Sequence, residues 1–248
     1  MNKNILLTLL LFSIASQIFA QADTITSANH KLQTQLLKEG TSTYLVYMTD
    51  SSMQKRTVGD VWIRTTSFMK KNNRDLVRFD WKWMRCDTVL AAIVNYCDRK
   101  TLAPFYHKAD YKKRGIFAYD FKDGQMVPSD SIADNNAVKK GSVTLPIPVI
   151  SWELDMETYP LLPIKKTGQI FDIAFFDPNE KEPSYHRYEV TGKEMLALNA
   201  DTKISCWILR INYSEKDYAQ FWLTEKSKEV IKVKEFYGGK YRFKVKQY

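Results

Sequence analysis

Two-residue alternation of apolar and polar positions runs through most of the chain after residue 41. Val77, Phe79, Trp81 and Trp83 alternate with Arg78, Asp80 and Lys82. A strand of that pattern has one buried and one wet face. Tyr44, Val46 and Met48 alternate with Leu45 and Tyr47, and Val61 and Ile63 resume the pattern after the turn-like residues 50–59. Val89 to Cys97 is apolar on both sides, as in a strand covered on both faces. Further strands are expected at 104–111, 115–121, 169–176, 185–191, 204–211, 218–224, 230–236 and 241–245, and Phe117, Tyr119 and Phe121 share one face. In the last strand Tyr241, Phe243 and Val245 lie on one side, while Lys240, Arg242, Lys244 and Lys246 lie on the other. Gly238 and Gly239 form the hairpin turn before it.

Three stretches depart from this period. Leu32 and Leu36, with Ile25, Ala28 and Leu37, predict a helix over 25–39 stopped by Gly40. Residues 128–141 are polar and turn-rich and predict a loop. Residues 145–165 are punctuated by Pro146, Pro148, Pro160 and Pro163, so they cannot form a central strand. Ser151 is placed to cap a short helix from Trp152 to about Tyr159. This segment reads as a crossover or lid between two groups of strands. The fold class is therefore all-β with helical covers, about a dozen strands in one sheet, and an antiparallel sheet beyond roughly ten strands curls or closes.

Residues 1–20 read as a secretory signal peptide. Lys3 precedes an apolar run from Ile5 to Phe12, and Ala20 offers a small residue before Gln21. The run is shorter than the roughly 20 residues of a membrane span. The expectation is an exported, periplasmic or secreted protein with one domain over 21–248 and no transmembrane span once the signal is removed. Removing it takes away Lys3 and leaves 228 residues at a formal charge of +8. Export implies an oxidising compartment. A Cys86–Cys97 bridge is one expectation, and three buried thiols, Cys206 included, are the other. With 13% aromatic residues, 9 glycines and 8 prolines, the chain is neither disordered nor collagen-like.

Asp98-Arg99-Lys100-Thr101-Leu102-Ala103-Pro104 looks like the Thr-Leu-x-Pro junction of a bacterial periplasmic family, the domain of unknown function 3108. Leu161-Leu162-Pro163 followed by Gly168 is similar to that family's central element. So is the closing order of Tyr188 to Glu194, Trp207, Phe221-Trp222-Leu223-Thr224 and Val230 to Glu235. The resemblance covers most of the mature chain. It implies a relation to the Lol-type lipoprotein carriers of the Gram-negative envelope, whose fold is a strongly curved antiparallel half-barrel holding acyl chains on its concave face. It carries over no catalytic residue.

Trp81, Trp83, Phe117, Tyr119, Trp152, Phe175, Trp207 and Trp222 are the candidate residues for an apolar, lipid-binding face, or else they fill a solid core. From Lys226 to Lys246 there are eight Lys or Arg against Glu229 and Glu235. Lys232, Lys234, Arg242, Lys244 and Lys246 predict a basic sheet face able to meet an anionic envelope component, or a solvated face that discourages edge pairing. Nucleic acid is a poor partner for an exported chain.

His30, His107 and His186 show no metal spacing, and neither a cofactor nor a metal is expected. Ser67-x-x-Lys70, Ser129-Asp130-Ser131 and Lys166-Thr167-Gly168 follow the order of the penicillin-recognising motifs. Ser67 ends a strand-like run instead of opening a helix, and Ser52-x-x-Lys55 repeats the first motif by chance. An outer-membrane barrel, suggested by the terminal Tyr248, conflicts with the proline-rich middle. The expected function is non-enzymatic binding of a lipid-like ligand, with an interaction module using the basic face as the alternative.

Overall fold

The computed structural model describes residues 21–57 and 59–248, so the signal-peptide expectation for 1–20 lies outside the described residues. The strands are β1 (Asp23–Ile25), β2 (Gly40–Thr49), β3 (Asp60–Lys71), β4 (Arg74–Arg85), β5 (Thr88–Asp98), β6 (Pro104–Tyr111), β7 (Gly115–Lys122), β8 (Gln125–Pro128), β9 (Val143–Thr144), β10 (Ile150–Ser151), β11 (Ile170–Phe176), β12 (Ser184–Ala197), β13 (Lys203–Asn212), β14 (Tyr218–Thr224), β15 (Val230–Tyr237) and β16 (Lys240–Gln247). They form one open, 16-stranded sheet. Two antiparallel meanders, β2 to β9 and β11 to β16, join where β16 pairs with β2, with Lys244 opposite Val46. β1 and β10 pair in parallel with successive parts of β11, at Phe171 to Ile173 and at Phe175 to Phe176.

Local sequence explains the hairpins. Gly238 and Gly239 both have positive φ, 56° and 78°, as a two-residue turn between twisted strands requires. Asn72 and Asn73 serve the same purpose between β3 and β4, at φ 49° and 61°.

The sheet curls because one core takes side chains from both meanders. Trp62, Val77, Phe79 and Cys97 from the first lie in the same buried cluster as Phe171, Tyr188, Leu209 and Phe221 from the second. Ile25, Leu32 and Leu102 complete it. A smaller cluster of Tyr119, Met126, Ala137, Val149 and Phe176 bridges the two ends of the sheet.

Several expectations need correction. The strand count is 16 rather than about a dozen, because β1, β8, β9 and β10 are two to four residues long and too short to show a period. Residues 25–39 do not form a helix; they hold the end of β1 and a single 3-10 turn, Thr34–Leu36. Ile25 is instead drawn into sheet pairing and is fully buried, and His30 adopts a positive φ of 54° that breaks any helix. The helical cover reduces to short turns: Asn136–Lys139 in the 128–141 loop, and Trp152–Leu154, Asp155–Thr158 and Tyr159–Leu161 in succession. Ser151 stands at the N-cap, but its side chain makes no capping bond. Cys86 is exposed in the turn before β5, whereas Cys97 is buried near its far end. Nine residues of strand separate Thr88 from Cys97 by about 30 Å, against the 7 Å or so that a disulfide tolerates. All three thiols are free, and burial pushes the Cys206 thiol up to about 11.

Candidate functional site

The proline-punctuated crossover, 145–165, lies on the concave face. Its prolines keep it out of the ladder except at β10, so it meets the sheet mainly through side chains. Leu154, Met156, Tyr159, Leu161 and Leu162 are each at most 4% exposed and belong to the main core. The Tyr159 ring sits 4.5 Å from Phe221, 5.2 Å from Tyr188 and 6.1 Å from Phe175, and its hydroxyl donates to Tyr188 Oη at 2.9 Å. Trp152 meets Phe175 edge-on at 5.5 Å and His186 at 4.6 Å.

Charge is buried at the same contact. Arg64 of β3 donates from Nε to Glu157 Oε1 at 2.7 Å and from Nη2 to Glu157 Oε2 and to the Glu153 carbonyl, both at 2.5 Å. Asp155 lies 3.8 Å from the same guanidinium, whose other face covers Trp81 at 5.2 Å. Lys244 of β16 points inward with its ammonium 3.1 Å from Glu235 and 4.7 Å from the Trp62 ring, and Arg242 bonds the same Glu235. His107 Nδ1 lies 3.0 Å from Asn95 Oδ1 and 3.1 Å from Glu153 Oε2. Both neighbours are acceptors, so this nitrogen carries the hydrogen.

These contacts set the carboxylates' titration. Burial is the largest influence on Glu235 and raises it, but Lys244 and Arg242 together outweigh burial and leave it below the ordinary glutamate value. Glu153 behaves alike, with burial opposed by His107, Asn95 and Arg64. Asp155 differs, because burial outweighs Lys244 and Arg64 and holds it above the ordinary value. A carboxylate depressed in the folded state adds stability above its unfolded value, about 4.3 for glutamate, and loses it as pH falls through the folded value. Glu153 and Glu235 should therefore steepen acid unfolding below about pH 4, and Asp155 should oppose them. Urea melts from pH 7 down to pH 3 test this: Glu235→Gln should lower stability at pH 7 and flatten the acid limb. An unchanged slope would show that Glu235 carries no such linkage.

Seven of the eight candidate aromatic residues lie on the inner side. Trp81 and Trp83 gather around Trp62, at 4.7 Å and 6.2 Å, and Trp83 Nε1 donates to Asp60. Trp152, Phe175 and Trp207 join the same core, and the Lys193 ammonium covers Trp207 at 4.0 Å. Phe117 and Tyr119 belong to the smaller cluster. Trp222 is outside the set. Its neighbour Phe221 takes the inner position, and Trp222 packs on the outer face with Cys206, Ile208 and Ile231 while donating to Glu194.

The concave centre is filled by the crossover's own side chains. A surface cleft of about 350 Å³ lies beside it, between the β7–β8 turn and Leu145 to Val149. A recess of about 20 Å³ is lined by His107, Tyr119, Arg114, Lys140 and Glu153, which is room for one water. The buried Tyr119 hydroxyl has no hydrogen-bond partner among the described residues.

The five residues expected on one basic face lie on two. Lys232 and Lys234 stand opposite Val245 and Phe243 on the outer side, whereas Arg242 and Lys244 stand opposite Glu235 and Val233 on the inner side. Lys246 is also inner, opposite Tyr44, and it pairs with Glu229. The inner cations turn inward because Glu235 needs partners when buried. The pattern of the last strand, with Tyr241, Phe243 and Val245 against lysines, identifies two faces without saying which is inside.

The sequence alone does not mark Arg64, Glu153, Asp155, Glu157, Asn95 and His107 as one network. The available signal was three acids at 153, 155 and 157 inside an otherwise apolar cover. The penicillin-like motifs are not joined: Ser67 of β3 pairs with Arg78 of β4, Lys70 is exposed, and Ser129 bonds Ser131. No helix among the described residues is long and apolar enough to cross a membrane.

A family model described as protein of unknown function (DUF3108) matches residues 43–246. Among solved structures, the chain is similar to a β-barrel-like protein of domain of unknown function DUF1849 from Brucella abortus. The TM-score is 0.49 at 12% identity, over 85% of this chain and 98% of that one. It is also similar to a DUF1329 family protein from Desulfovibrio piger, with a TM-score of 0.32 at 7% identity, over 87% of each chain. Neither is described as a lipoprotein carrier. No curated protein matches the chain.

Proposed function

The chain belongs to the DUF3108 family of proteins of unknown function, and from the arrangement of its own residues we propose that it is an exported, non-enzymatic binding protein of the cell envelope whose concave face takes up a lipid-like or apolar ligand. One observation carries this reading. The aromatic trough is covered by an irregular segment whose main-chain ties are two residues of strand pairing and single bonds from Leu145 N–H to the Gly124 carbonyl and from Gln33 N–H to the Leu161 carbonyl, with side chains holding the rest.

The energies are comparable, which makes exchange feasible. Five buried anchors at about 1.5–3 kcal/mol each amount to roughly 8–15 kcal/mol. A sixteen-carbon chain taken out of water contributes about 0.8 kcal/mol per methylene, or roughly 12 kcal/mol in all. The Arg64 contacts to Glu153, Asp155 and Glu157 add to the anchors' side, so the crossover stays down without ligand and yields only to one that fills the trough as fully. Lipid or lipoprotein handling in the periplasm fits this chemistry and the Lol-like resemblance.

The test offers the purified protein palmitate and lysophosphatidylglycerol and reads native mass spectra with hydrogen exchange. A one-to-one adduct is expected, with exchange rising across 145–165 while β12 to β15 stay protected. Protein that takes up neither ligand, or that binds one while the crossover keeps its protection, overturns the reading.

A further inference from the structure

The outer face of β14, β15, β16 and β2 carries a row of five rings. Tyr218, Phe236, Tyr241, Phe243 and Tyr47 follow one another at centroid separations of 6.1, 4.8, 6.2 and 5.2 Å. All five are partly exposed. Beside them Leu45 and Val61 are more than a third exposed. Cross-strand ring pairs stabilise any sheet, but the charges here go further. The Arg210 guanidinium lies 4.2 Å from the Tyr218 ring, Lys234 lies 4.6 Å from Tyr241, and Arg56 lies 5.3 Å from Tyr47. Lys232 covers Trp222 at 4.5 Å.

None of these four cations has a carboxylate within 4 Å among the described residues. The four strands contain a single acid, Glu235, and it faces inward. Within these four strands the outer face is cation, ring and aliphatic side chain, and the nearest acids, Glu189 opposite Arg210 and Glu194 bonded to Trp222, stand at its β12 border; that is the composition of a surface that meets a bilayer. Tyr and Trp settle at the headgroup level, Lys extends its stem over apolar surface, and anionic lipid attracts the ammonium. A sugar polymer asks instead for converging planar hydrogen-bonding groups, and the outer positions of these four strands hold two amides, Gln220 and Gln247, on strands that are not adjacent.

We propose that the outer face of β14, β15, β16 and β2 docks on a membrane surface rich in anionic phospholipid headgroups. This does not depend on the concave face, so either reading survives failure of the other.

The test is sedimentation with vesicles of phosphatidylcholine alone or with 30% phosphatidylglycerol, at low salt and at 0.5 M. Binding is expected only to the anionic vesicles and should be lost at high salt. Each cation near such a surface changes partitioning about fivefold, so Lys232→Gln with Lys234→Gln should weaken binding roughly thirtyfold. The exposed pair Lys112→Gln with Lys113→Gln should change it little, and unchanged melting curves establish that both variants fold. Equal binding to neutral vesicles, equal loss in both variants, capture by an acidic polysaccharide but not by vesicles, or self-association that buries the strip would each overturn the proposal.

Discussion

Arg64→Met should remove about 3–5 kcal/mol of folding stability, the cost of breaking a buried ion pair and stranding its partners. The Arg64 side chain is 5% exposed and its two nearest carboxylates are 14% and 16% exposed. Replacing the guanidinium leaves Glu157 and Asp155 without their shared cation and the Glu153 carbonyl without its donor. Methionine keeps the volume over Trp81, so lost packing contributes little to the effect. Adding Glu157→Gln to Arg64→Met should recover part of the loss, since it removes one stranded charge. Urea unfolding reads the result as a lower midpoint at an unchanged slope. A loss below about 1 kcal/mol would mean that water reaches these carboxylates, as at an exposed pair.

This network also marks where the sequence is legible and where it is not. The alternation of Val77, Phe79, Trp81 and Trp83 identifies β4 and its inner face, because every second residue meets one environment. Gly238-Gly239 identifies a hairpin for an equally local reason. Long-range facts have no such local signal. That β16 closes onto β2 is set by pairing across some two hundred residues, and nothing in either strand announces it. The inward turn of Lys244 follows from Glu235 on one neighbouring strand and Asp155 on the crossover. Leu32 and Leu36 share a helical spacing, yet Leu32 enters the core while Leu36 stays 36% exposed, because parallel pairing of β1 decides the path of the segment. Phe221 and Trp222 are equally aromatic, and only their order along β14 decides which one enters the trough.

Tyr159→Ala should cost about 3–5 kcal/mol, the range for truncating a large buried ring. Tyr159→Phe separates the two contributions: it keeps the stack on Phe221, Tyr188 and Phe175 and removes only the donor to Tyr188 Oη. The hydroxyl bond should account for about 1–2 kcal/mol, so packing outweighs it. The alanine variant also tests the trough as a receptor. The space it opens is lined by rings, and an apolar cavity of that kind stays dry and accepts small apolar guests. Benzene or indole should therefore raise the melting temperature of Tyr159→Ala and leave the wild-type value unchanged, because in the wild type Tyr159 already occupies the position. If neither guest has an effect, the neighbouring rings have collapsed into the space. The trough would then be a core that closes around any vacancy, and the case for a ligand there would fail on the same measurement.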